Sequence, residues 1–170
     1  MNKETNKLLI FICIFLISSS VILIFSLSSK NKFTLILSPD NSEEKFISLI
    51  NSANDSIYVE NYYFTNERIA FSLVAAKNRG VKVYVLIEDN EGVDKIYNLL
   101  RENGIDVKID KRNITIHSKF MVIDKKIAII GSHNLTKYAM ERNREVSIVI
   151  ESEEIAKKLI EIFENDYNLT

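Results

Sequence analysis

Cysteine is nearly absent from this chain of 170 residues, and its single copy, Cys13, lies in an apolar run. A disulfide framework is thereby excluded, and so is a cysteine-rich metal centre. The two histidines add no ligand set of credible spacing, so no metal is expected. Proline occurs once and glycine four times, which leaves little room for long loops. No low-complexity linker separates two folded domains, and no internal repeat is seen. There is no P-loop and no dinucleotide glycine fingerprint, and no cofactor is expected. Neither sign of charge dominates: the net charge of −1 points to no partner by itself. Asn-x-Ser/Thr triplets at Asn54, Asn113, Asn134 and Asn168 read as chance, since one falls inside the site described below.

What is there begins with a hydrophobic content of 46%, enough for one packed core. Residues 8–26 carry no charge and follow a short flank, residues 1–7. As a helix they would extend about 28 Å, close to the thickness of a bilayer core. Two readings fit. One is a single-pass transmembrane anchor that holds the domain at a membrane, on its extracytoplasmic side. The other is a cleaved signal peptide with Ser26 and Ser28 near the cut, which would leave a secreted protein.

From Phe33 onward strands and helices alternate. Strands are expected over 33–37, 56–64, 81–89, 106–110, 120–124, 127–131 and 145–151. Helices are expected over 42–54, from Thr65 or Asn66 to Gly80, over 93–103 and over 152–166. Units of strand and helix followed by adjacent strands imply an α/β fold, a mixed sheet flanked by helices, over residues 33–168. Between Lys108 and Arg144 nine basic residues face only three acidic ones, which suits an anionic substrate.

The chemistry concentrates in residues 117–134, HSKFMVIDKKIAIIGSHN. A two-residue turn at Lys125-Lys126 makes a hairpin in which 124 faces 127, 119 faces 132 and 117 faces 134. His117, Lys119, Ser132 and Asn134 then converge at its open end. Histidine offers a nucleophile and a proton shuttle, and the other three offer donors to phosphate oxygens. Gly131, without a side chain, lets a ligand approach the backbone. Asp124 has the parity opposite to Lys119 and lies about 17 Å further along an extended strand, so it reads as structural. His133 reads as a bystander or as part of a substrate groove. Tyr62 and Tyr63 read as core or as a platform for bases.

His117-x-Lys119-x4-Asp124-x6-Gly131-Ser132-x-Asn134 resembles, at every spacing, the HKD signature of the phospholipase D superfamily. The likeness extends through NREVSIVI, NYYFTN and AAKNRGVKVYVLIED, and in size the chain is similar to the small single-motif nucleases of that family. The resemblance implies a phosphohistidine intermediate, formed without metal by His117 while a second histidine protonates the leaving group, and released by water. It also implies that Lys119 and Asn134 grip the phosphate, that Ser132 assists, and that Glu145 orients His117. With one motif per chain, a homodimer is the expected source of the second histidine. A nuclease acting on DNA or RNA is the first expectation. A phospholipase D or cardiolipin-type hydrolase at the membrane is the alternative, and a non-catalytic nucleic-acid-binding module the third.

Overall fold

A computed structural model describes residues 32–170, together with Lys7, Phe11, Ile12 and Ile14 of the preceding stretch. Lys32–Thr170 is one compact unit. Its strands are β1 (Lys32–Leu37), β2 (Ser56–Asn61), β3 (Lys82–Glu88), β4 (Asp106–Asp110), β5 (Lys119–Ile123), β6 (Ile127–Gly131) and β7 (Val146–Glu151). Its helices are α1 (Ser42–Ser52), α2 (Glu67–Asn78), α3 (Val93–Glu102), α4 (Lys137–Glu141) and α5 (Glu153–Leu169). The strands form one mixed sheet in the order β1-β7-β6-β5-β2-β3-β4. β2, β3 and β4 run parallel, and every other neighbouring pair is antiparallel.

The parallel half follows from its connections. Asn66 caps α2 by accepting the Ile69 N–H at 3.2 Å, and Gly80, at φ 96°, turns the chain after its end. β3 returns beside β2 in parallel, as a strand joined through a helix does. α1, α2 and α3 bury Phe46, Ile50, Leu73 and Ile96 against one sheet face, with Ile57, Val59, Met121 and Ile129 beneath them. α5 lays Ala156, Ile160 and Phe163 on the other face, against Phe120, Val122 and Leu86. Being buried on both sides, the central strands read in the sequence as near-continuous apolar runs.

Three expectations need correction. Strand 56–64 stops at Asn61, because Phe64 leaves the ladder to bridge Leu135. The hairpin turn has three residues, Asp124 to Lys126, so Ile123 faces Ile127 and Phe120 faces Ile130, one step away from the expected register. The physical cause is Asp124, whose N–H is bonded to the Ser56 carbonyl at 2.8 Å. Asp124 and Lys125 both adopt positive φ, 52° and 56°.

The third concerns the membrane. A spanning helix needs about 20 apolar residues. Among the described residues no helix is long and apolar enough to cross a membrane. The longest of them, α5, has 17 residues and carries Glu153, Glu154, Lys157 and Lys158. Among the described residues the fold is therefore a mixed α/β sheet with helices and holds no transmembrane helix, and the membrane contact and single-pass location drawn from residues 8–26 are withdrawn. Apart from Phe11, Ile12 and Ile14, those residues, like the alternative cleavage site at Ser26 and Ser28, lie outside the described ones.

Candidate active site

His117 lies two residues before β5 and is exposed. Its ring lies 4.5 Å from that of Tyr62, measured between centroids. The Lys119 ammonium donates to the His117 carbonyl at 2.7 Å and stands 3.4 Å from its Nδ1. The same ammonium sits 5.1 Å from the centre of the Tyr62 ring. Lys119 is half-buried, and burial holds its pKa below the usual lysine value, opposed by the nearby Glu145 charge. A partly desolvated cation beside an accessible imidazole is a place where a phosphate oxygen finds charge that water has not already screened.

Ser132 and Glu145 form a second group. The Ser132 hydroxyl donates to Glu145 Oε2 at 2.5 Å, and the Asn143 amide donates to Oε1 at 2.8 Å. Ser132 also accepts the Val146 N–H at 3.1 Å. The expected partnership of Glu145 with His117 is not among these contacts. Because the ladder is offset by one, Gly131 rather than Ser132 follows the register toward Lys119. A Cβ on Gly131 would overlap Ser147 and the Val146 carbonyl. The close approach that this glycine permits is that of β7.

Asn134 is half-buried, and its Oδ1 has no hydrogen-bond partner among the described residues. Its neighbours fix it. Asn61 donates to the His133 carbonyl and accepts the Leu135 N–H, each at 3.2 Å. The Leu135 carbonyl accepts the N–H groups of Thr65 and Asn66. Asn61 is level with Lys119 on the ladder, so one buried amide ties the two segments that carry the motif. The sequence places it within NYYFTN but does not reveal that role. His133 is 2% exposed. Its Nε2 lies 2.6 Å from Ser38 Oγ and its Nδ1 2.7 Å from Ser147 Oγ. It is a satisfied interior histidine, held neutral by burial, which lowers its pKa against the pull of Glu145.

Asp124 sits at the turn, where its carboxylate accepts the N–H groups of Asn54, Asp55 and Ser56. Burial pushes its pKa up, but these three bonds outweigh it and leave the group more acidic than usual. The basic stretch proves less free than its composition suggests. Arg112 pairs with Asp110 and Asp166, Lys125 with Asp55, Lys137 with Glu141 and Arg144 with Asp40. Among the described residues no three of His, Cys, Asp and Glu stand together as a metal site.

Residues 46–167 match the family model described as "Cardiolipin synthase, PLD-like domain". The chain is 37% identical over 136 residues to the Phospholipase D of Rickettsia conorii, which covers 78% of this chain and 68% of that protein. It is 30% identical over 127 residues to the Mitochondrial cardiolipin hydrolase of Canis lupus familiaris, covering 74% of this chain and 50% of that one. Among solved structures, Nuc from Salmonella typhimurium, a phospholipase D family member, superposes with a TM-score of 0.77 at 30% identity, over 82% of this chain and 95% of that one. The chain therefore belongs to the phospholipase D superfamily, as an HKD-type domain of the phosphodiesterase kind that structurally resembles the Nuc-like endonucleases.

Proposed function

We propose that this domain hydrolyses phosphodiesters through a phosphohistidine at His117, in a homodimer and without a metal, and that its substrate is a phospholipid. The His117 imidazole attacks phosphorus, and the bond to the leaving alcohol breaks as the partner's His117 protonates that oxygen. Water then attacks the phosphohistidine and gives its proton to the partner's His117, which the first step left neutral. The P–N bond breaks and a phosphomonoester leaves. Lys119 and Asn134 hold the phosphate oxygens, and Ser132, whose hydroxyl is held by Glu145, assists.

One observation carries the reading. Of the two histidines, His117 is exposed beside an ammonium, whereas His133 is buried with both ring nitrogens engaged. A single chain thus offers one histidine to chemistry that uses two, and an apposed copy supplies the other. For the substrate, the names of the two curated relatives favour a phospholipid over the nucleic acid that the sequence first suggests. The pairing of Arg112, Lys125, Lys137 and Arg144 with acids weakens the argument from the basic stretch. Hydrolysis of DNA or RNA is the second reading, favoured by the likeness to Nuc across 95% of that chain.

The test offers phosphatidylcholine vesicles, cardiolipin vesicles, single-stranded DNA, duplex DNA and RNA to the protein in the presence of a chelator. The account expects lipid phosphodiester cleavage that falls by at least about 10²-fold in His117→Ala. Cleavage of nucleic acid with the lipids left intact reverses the substrate, and full activity in His117→Ala overturns the mechanism.

A further inference from the structure

His117 is not part of the sheet ladder. β5 begins at Lys119, which pairs with Asn61, so backbone pairing does not by itself fix the imidazole two residues earlier. The flanking residues turn to the opposite face. Ile116 is buried with Phe120, Val122 and Phe163 under α5. The Ser118 hydroxyl donates to Glu60 Oε1, and the Ile116 N–H donates to Glu88 Oε2 at 2.6 Å. Glu60 and Glu88 stand near the C-terminal ends of the adjacent parallel strands β2 and β3, with the parity of Tyr58, Tyr84 and Leu86. Glu60 is 1% exposed, and its Oε2 has no partner among the described residues. Burying a carboxylate is costly, and for packing alone an apolar residue would serve better here. What the two glutamates share is that each binds one neighbour of His117.

We propose that Glu60 and Glu88 are positioning residues for His117, which grip Ser118 and Ile116 from the far side of the sheet and so present the imidazole to the phosphate. This inference rests on the reading of His117 as the nucleophile. Burial pushes the Glu60 carboxyl up to about 7, with the Ser118 bond pulling the other way. A carboxyl that is partly neutral near pH 7 is tolerated in the interior, and its oxygen still accepts from Ser118. A misplacement of the reacting group by about 1 Å costs on the order of 100-fold in rate.

The experiment measures kcat and KM for Glu60→Ala, Glu60→Gln, Ser118→Ala and Glu88→Gln, with His117→Ala alongside, on the substrate that the full chain cleaves. Thermal melting confirms that each variant is folded. Glu60→Ala and Ser118→Ala are expected to lower kcat by about 10- to 100-fold. KM should hardly move, because Lys119 and Asn134 still bind the phosphate. Glu60→Gln keeps an oxygen for Ser118 and should recover most of kcat, a rescue that loss of packing would not explain. If Glu60→Ala fails to fold, Ser118→Ala, which removes one hydroxyl, carries the same expectation. Wild-type kcat in Ser118→Ala, or a rise in KM alone, overturns the positioning role while an inactive His117→Ala upholds the catalytic centre. Activity retained in His117→Ala itself overturns the catalytic reading instead.

Discussion

Gly131 marks a close approach of β6 to β7, where any Cβ would overlap Ser147 and the Val146 carbonyl. Gly131→Ala must push the two strands apart and should cost about 1–3 kcal/mol, read as a lowered midpoint in urea unfolding. An unchanged midpoint would contradict the geometry. Glu60 makes a second prediction at this scale. Its folded pKa, about 7, lies above the ordinary 4.5. The native state therefore binds more protons between those values, and this group's contribution to stability is full below about 4.5 and lost as pH rises through about 7. Glu60→Gln removes that dependence, so its melting temperature should gain on the wild type as pH is raised from about 5 to about 8. A constant difference across that range would contradict a buried, titrating Glu60. His117 and Lys119 were legible in the sequence because the motif names them. Glu60 was not, although a lone carboxylate in the apolar run SIYVENYYF was the available signal.

Among the elements, the β5–β6 turn shows where pattern reading stops. The apolar runs give both strands, since buried strands write their parity directly into the sequence. The turn length does not follow from Lys125-Lys126, because it is set by a carboxylate reaching residues some seventy positions earlier. Asp124→Ala frees three backbone N–H groups and should cost about 2–3 kcal/mol, while kcat per folded molecule stays near wild type. A fall in kcat with unchanged unfolding would move Asp124 from structure into chemistry. α4 was not anticipated at all. It has only five residues, capped by Thr136 accepting the Ala139 N–H, too short for helical periodicity to emerge. Without it, the 133–135 segment reads as a strand tail, although Asn61, Thr65 and Asn66 fold it across the site.

For the whole molecule, alternating strand and helix signals give the fold class, and the motif gives the family. The sheet order does not follow from them, since β1 travels to the far edge to meet β7 by contacts remote in sequence. The number of chains in a working site is likewise a property of the assembly. With His133 sealed against Ser38 and Ser147, each chain brings one histidine, and the proposed site needs one from each of two. Subunit mixing tests this most directly. Wild-type protein is unfolded and refolded together with increasing His117→Ala at constant total concentration, and phosphodiester hydrolysis is measured. If both histidines serve one phosphorus, activity falls as the square of the wild-type fraction; a linear fall, in which each wild-type chain works alone, would contradict the account.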